Sequence, residues 1–425
     1  MLPVPPPISQ HGIVGEFART SSTKHAVTVA IGVDPKAGKT QALSAGAFVV
    51  NSGVNTHMGY YGTAYTNDVP KVISLLEGLG IGVVRDGEAT GHSDICAEDA
   101  KLGAAGITFD FVTNVNSPPG DATKWAECVG PRYVKSFEGP NEYDISHGSD
   151  PHWAATDRAR QTALYHEIRS KFGDMGVIAP SVTTVGAARE LGNLSNVATA
   201  GNAHVYYDGL RNPGTPPYGD GGYGSIGYDV AVGSPVNGSL PVITTETGFV
   251  AGPTGVSLAT QAKYVVRNLL LLAEHGSSSY YYELLDDHID RFSPSSLVDA
   301  TYHPKPSYDA MKSLLGLLAD GGDASARGTL GFAISGSTDN VRSVLFQKRN
   351  GTFYLALWIE VPSAMVDKGT DIAVPAQRVS LTLQKPMAAT CYRYDTAWHL
   401  VPTSLGAKSS FPLMLMDSVE VIALR

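Results

Sequence analysis

Two glutamates stand at the ends of runs where a charge is out of place. In VKSFEGPNEYD, residues 134–144, an alternating stretch is broken by Gly139-Pro140 and followed at once by Asn141 and Glu142. In VITTETGF, residues 242–249, Glu246 interrupts a run that is apolar or β-branched until the acid arrives. An acid just past a strand is most often a solvated loop residue, so neither position speaks alone. If both runs are strands of one barrel, however, both carboxyl groups open on the same mouth, because barrels carry their chemistry at the C-terminal ends of the strands. Two carboxyl groups about 5–5.5 Å apart suit acid-assisted displacement at an anomeric carbon, one donating a proton and the other attacking. The proton donor needs a raised pKa, which burial and a neighbouring carboxylate supply.

The elements that would position these acids alternate along the chain. AFVVNSGVNTH reads as a strand, and DVPKVISLLEGLG as a helix with Asp68 as its N-cap and glycine at its end. The strand IGVVRD, the helix HSDICAEDAKLGAAG and the strand ITFDFVTNVN follow. A short helix near 121–129 precedes the strand that leads to Glu142, and a helix at about 156–172, the strand GVIAPSV and a helical stretch around 186–199 come next. NAHVYY, LPVITTETGF, a helix at 258–275, SSSYYYELL and a helix at 305–318 complete the series. Strand–helix alternation over residues 47–320 predicts a (β/α)8 barrel, with Glu142 ending strand four and Glu246 ending strand seven. No glycine-rich dinucleotide turn follows the first strand. From residue 321 to 425 short alternating runs without helices predict an antiparallel β-sandwich. Residues 1–46 are Pro-rich, then β-like in HAVTVAIGV, and are expected to add a strand to that sandwich.

The order of these motifs resembles the retaining glycoside hydrolases of clan A, in particular family 39-like or family 5-like enzymes, over roughly residues 47 to 320. In that clan an Asn-Glu pair ends strand four and a second Glu ends strand seven. The resemblance implies Glu142 as acid/base, Glu246 as nucleophile and Asn141 as a partner of the sugar hydroxyl beside the anomeric carbon. It also implies Arg85 of VVRD on strand two, and His204 and Tyr206 of AHVYY on strand six, as residues around the nucleophile. For Arg85 the plainer alternative is a buried ion pair with Asp86 or Glu88, and for His204 a satisfied core histidine. YYYELLDD followed by HPKPSYDAM looks like the strand-eight and final-helix region of family 39-like enzymes. Many clan members carry a Trp on strand eight, where this chain offers Tyr280, Tyr281, Tyr282 and Glu283. Tyr282 is the candidate stacking platform, and Glu283 a candidate partner for a sugar hydroxyl. His57 on strand one and Asn114 or Asn116 on strand three are further candidates for the same subsite. The expected activity is retaining O-glycoside hydrolysis. A transglycosidase would use the same two acids, and a catalytically silent carbohydrate-binding barrel is the competing class.

The rest of the sequence narrows these classes. Charged residues are only 17% of 425, fewer than the roughly 25% of ordinary globular chains, as suits a neutral, hydroxyl-rich ligand. A net charge of −9 speaks against nucleic acid, whose counterions are released by a basic face. No apolar run reaches the ~20 residues of a membrane span. GVDPKAGKT places five residues between its glycines, where a phosphate loop needs about four, so it reads as a turn. The histidines follow no metal-ligand spacing, DDHIDRF reads as a solvated loop, and neither metal nor cofactor is expected. Cys96, Cys128 and Cys391 form no CxxC motif; the first two allow a disulfide or two buried thiols. MLPVPPPISQ has no charged start followed by an apolar core, so no secretory signal is legible; the compartment stays open between cytoplasmic and secreted or periplasmic, with the reading leaning to the second. The Gly- and Tyr-rich stretch DGLRNPGTPPYGDGGYGSIGYD, between strands six and seven, is expected to form a wall or lid of the cleft. The partner expected is an oligosaccharide, polysaccharide or simple glycoside; oligomeric state is not legible.

Overall fold

Strands and helices alternate in space as they do in sequence. The structure, a computed structural model, describes residues 39–207, 210–218, 224–288, 293–321, 327–366 and 368–425. Strands β1 (Ser52–Asn55), β2 (Val83–Gly87), β3 (Thr108–Val112), β4 (Val134–Glu138), β5 (Gly176–Ile178), β6 (Gly201–Val205), β7 (Val242–Thr247) and β8 (Ser278–Tyr281) are parallel. Their order is β5-β4-β3-β2-β1-β8-β7-β6, and a bridge from Ile178 to Ala200 joins the two ends into a ring. The outer helices are α1 (Val69–Leu79), α2 (Ser93–Ala104), α3 (Asp121–Val129), α4 (Trp153–Phe172), α5 (Val185–Leu191), α6 (Ile226–Val232), α7 (Leu258–Glu274) and α8 (Pro306–Leu318). This is the (β/α)8 barrel that the alternation predicts.

Local chemistry sets the element ends. Asp68 accepts from the Lys71 amide to start α1, and Gly80, at φ 78°, ends it. Ser257 caps α7 in the same way, and the long apolar face of that helix is buried. Two expectations change. The first half of AFVVNSGVNTH is the helix Ala45–Val50, because Ser44 caps it and Phe48 and Val49 bury against the core; strand β1 begins only at Ser52. Helix α6 begins inside the stretch read as a loop and runs three residues past its end, where Gly227 and β-branched residues hid a helix that Ser225 caps.

Beyond the barrel, β9 (Thr329–Gly336), β10 (Val341–Gln347), β11 (Phe353–Ile359), β12 (Gln377–Tyr394), β13 (Leu400–Leu415) and β14 (Glu420–Leu424) form an antiparallel sheet folded on its own apolar core. QRVSLTLQK and ATCYRYDT, read as two strands, are one: β12 runs through Pro386 by slipping its register with β13 between Thr382 and Met387. Strand β13 is not legible in the sequence, since Pro402, Gly406 and Pro412 look like breaks; as a strand that pairs, among the described residues, with β12 alone, it tolerates them. Lys39–Gln41 pairs antiparallel with β9 and Leu43–Ser44 parallel with β10, so the segment before the barrel joins the sandwich. HAVTVAIGV lies outside the described residues. Strand β11 explains its unbroken apolar run FYLALWI: Leu355, Leu357 and Ile359 face the sandwich core, while Tyr354, Ala356 and Trp358 face the barrel.

Candidate active site

The inward side chains of the barrel are polar. On β3 and β4 the rings of Phe109, Phe111 and Phe137 join the outer core, which leaves Asp110, Ser136 and Glu138 inside. On β2 the alternation points Arg85 inward and Asp86 outward, where Asp86 accepts from Thr56 Oγ1 (2.7 Å) and the Met58 amide (3.0 Å). Arg85 uses all five of its N–H groups. Nε and Nη2 donate to Glu138 (both 2.8 Å), Nη2 also to Asn141 Oδ1 (2.7 Å), and Nη1 to Asn55 Oδ1 (3.0 Å) and Glu246 Oε1 (2.7 Å). Its ion pairs are thus with Glu138 and Glu246, not with Asp86 or Glu88. Glu138 accepts further from Asn202 Nδ2 (2.9 Å), and Asn202 Oδ1 from Thr245 (2.6 Å). Burial, with Glu138 close by, pushes the Asp110 carboxyl up to about 7.

Glu142 reaches the mouth by an unusual backbone. Gly139 packs so tightly on Gln161 and Pro180 that a Cβ there would lie 2.3 Å from Gln161 Oε1. Three residues on, Glu142 adopts φ 43°, ψ 45°, a left-handed conformation that non-glycine residues rarely hold, with its amide donating to Ser181 Oγ (3.0 Å). Such a conformation costs about 1 kcal/mol or more, and it turns this carboxyl toward β6. There His204 Nδ1 lies 2.6 Å from Glu142 Oε1 and 3.5 Å from Glu246 Oε2.

Glu246 receives Arg85 on one oxygen and the Tyr206 hydroxyl on the other (2.9 Å). Burial works against its charge, but His204, Arg85 and Tyr206 outweigh burial and hold the carboxyl below the ordinary glutamate range. The same carboxylates raise His204 despite its burial, and burial beside Glu246 raises Tyr206. A carboxylate oxygen of Glu142, one of Glu246 and a ring nitrogen of His204 all lie within 4.8 Å of one another. A hollow lined by Glu142, Thr183, His204, Tyr206 and Asp229 opens beside them. Another, at the opposite end of the barrel around Asn51, Gly82 and Lys135, holds no carboxylate.

The remaining candidates fall into two places. His57, Tyr282 and Glu283 gather between β1 and β8. His57 Nδ1 lies 2.8 Å from Asp287 and 3.1 Å from Glu283, and its ring contacts those of Tyr60, Tyr65 and Tyr282. Burial opposes the His57 charge, yet the two carboxylates raise its pKa well above the ordinary value. Glu283 is fully buried and also accepts from Tyr65 (3.2 Å). Asn114 stays in the exposed turn after β3, where its Oδ1 accepts from the Asn116 amide (2.9 Å), a bond within the turn and not to the carboxylate pair. Both imidazole–carboxylate clusters use atoms of metal-ligand type, but contacts of 2.6 and 2.8 Å are hydrogen-bond separations, shorter than those between ligands of one tetrahedral ion.

Sequence reasoning missed Glu138, Asn55, Asn202, Thr245 and Ser181. The signal available for Glu138 was Arg85: a buried guanidinium needs a carboxylate partner, and Glu138 sits on the inward parity of β4.

No protein-family model and no curated protein sequence matches the chain. Among solved structures, a family 39 glycoside hydrolase from the gut symbiont Bacteroides cellulosilyticus WH2 superposes with a TM-score of 0.60 at 15% identity, over 90% of this chain and 82% of that one. A glucosidase from Croceicoccus marinus gives 0.58 at 12% identity, over 91% and 96%. AbfB, a family 51 α-L-arabinofuranosidase from Bifidobacterium longum, gives 0.56 at 11% identity, over 91% and 98%. The chain therefore has the fold of the clan A glycoside hydrolases of family 39-like type, a (β/α)8 barrel carrying a β-sandwich.

Proposed function

We propose that this chain is a retaining O-glycoside hydrolase with Glu142 as acid/base and Glu246 as nucleophile. The observation that carries the reading is the close approach of a Glu142 carboxylate oxygen to one of Glu246, within 4.8 Å, which fits the closely set pair of retaining enzymes (~5–5.5 Å) better than the wider pair of inverting ones (~6.5–9.5 Å). Glu246 is held ionised and aimed by Arg85 and Tyr206, so its free pair can attack the anomeric carbon while Glu142 protonates the departing glycosidic oxygen. A glycosyl ester to Glu246 forms as the glycosidic bond breaks. Glu142, now a base, takes a proton from water, which attacks the same carbon and releases the sugar with its anomeric configuration retained. Asn141, its oxygen engaged by Arg85 and Ser181, has its amide N–H groups for the hydroxyl beside that carbon. His57 and Tyr282 would form the further wall of the subsite, with the buried Glu283 held behind His57.

The test is a panel of activated aryl glycosides with product anomers followed by NMR. Wild type should give the retained anomer first, and Glu246→Ala should lose turnover by several orders of magnitude without unfolding. First appearance of the inverted anomer, or a wild type inert on every glycoside, refutes the proposal; inertness with sugar binding would leave a carbohydrate-binding barrel.

A further inference from the structure

The bond between Tyr206 and Glu246 spans the ends of two neighbouring strands, and something must fix their spacing. The residues immediately after each, Tyr207 and Thr247, turn to the opposite side and meet one buried side chain on α7. The Tyr207 hydroxyl donates to Asn268 Oδ1 and Asn268 Nδ2 donates to Thr247 Oγ1, both at 2.8 Å. All three are fully buried, so each bond is made away from competing water.

Asn268 is itself anchored through its neighbour. Arg267, fully buried, forms an ion pair with Glu360, just past β11 of the sandwich, with Nε donating to Oε2 at 2.8 Å. Glu360 also accepts from Trp358 (2.5 Å) and, on the barrel side, from Asn212 Nδ2 (2.6 Å) and the Gly214 amide (3.1 Å) in the segment that leaves Tyr207. A Cβ on Gly214 would lie 2.1 Å from Glu360 Cγ, so that segment rests directly on the sandwich carboxylate.

We propose that Asn268 is a positioning residue for the Tyr206–Glu246 bond, and that the sandwich, through Glu360, sets the place of Asn268. The inference rests on the reading of Glu246 as nucleophile. It assigns the sandwich a part in the chemistry of the barrel, with no sugar bound to it.

The experiment is a double-mutant cycle on the full chain. Asn268→Leu removes both bonds; Tyr207→Phe removes one hydroxyl, is nearly isosteric, and decides the matter if the leucine variant does not fold. Each should lower kcat about ten- to a hundredfold, the cost of an ångström-scale misplacement, with KM changed less than about threefold. The acid limb of kcat/KM should rise, since Glu246 keeps Arg85 and His204 but loses Tyr206, with Glu142 still opposite. In a Tyr206→Phe background neither substitution should cost anything further; additive losses would mark a merely structural role and overturn the proposal. Glu360→Gln should move kcat and the limb in the same direction by less, and wild-type values for both would remove the sandwich from the argument. If no glycoside is turned over, the proposed function fails by itself. The hold on Glu246 is then read by NMR titration of its labelled carboxyl in wild type and Tyr207→Phe: an upward shift in the variant supports the proposal, and no shift overturns it.

Discussion

Arg85 ties Glu246 and Asn141 to Glu138 inside the barrel, and lysine could not replace it. A lysine offers three donors from one point, whereas Glu138, Glu246, Asn141 and Asn55 are reached by a planar fork. Arg85→Lys should destabilise the chain by about 3–5 kcal/mol in urea unfolding, because a buried carboxylate is left short of its partner. It should also raise the acid limb of kcat/KM by about one unit or more, since the nearest positive charge withdraws from Glu246. In wild type that limb should lie below the ~4.3 of an ordinary glutamate: Glu246 is depressed, so it stays ionised and competent until the pH falls through its lowered value. At this scale the sequence spoke most plainly where an acid stands at or just past the end of a strand, as Glu246 does in β7 and Glu142 does after β4. It was least legible at Glu138, because Lys135-Ser136-Phe137-Glu138 puts polar residues on both parities of β4 and alternation alone cannot say which faces inward. The left-handed turn at Glu142 has no sequence signature beyond the Gly139-Pro140 break.

Among elements, helices with a cap and an apolar stripe, such as α1 and α7, were readable nearly to the residue. What failed was local propensity overruled by packing: β-branched Val49 and Val50 end a helix, and Pro386 sits inside an eighteen-residue strand. Cysteine spacing could not decide between thiols and a bridge, but the structure can. Cys96 on α2 and Cys128 on α3 form a disulfide across a separation of 32 residues. A loop of that length implies about 2–4 kcal/mol of stability. Cys96→Ser with Cys128→Ser should lose about that much in chemical denaturation and keep kcat near wild type, because both helices lie on the barrel's outer layer. A large fall in kcat at temperatures where the variant is folded would contradict this.

The whole molecule holds together through buried polar groups as well as apolar area. Glu360 is depressed despite burial because Arg267 and its hydrogen-bond donors stabilise the charge. Its contribution is fully present above the ~4.3 of the unfolded chain and is lost as pH falls through the lower folded value. Melting temperature should therefore fall as the pH is lowered below about 5. Glu360→Gln should flatten part of that slope while lowering stability by about 3–5 kcal/mol, since Arg267 is left without its counter-charge. Barrel and sandwich were both legible as patterns of alternation, yet their union was not, because Glu360 and Arg267 lie far apart in sequence and neither stands in a motif. No helix among the described residues is long and apolar enough to cross a membrane. The short strands Lys39–Gln41 and Leu43–Ser44 pair with β9 and β10, on the far side of the barrel in chain order. A nascent polypeptide thus exposes these two short strands while the whole barrel is being synthesised, since their neighbours lie beyond residue 328. Deleting residues 39–44 should leave β9 and β10 with unmatched borders, the kind of border that recruits other chains.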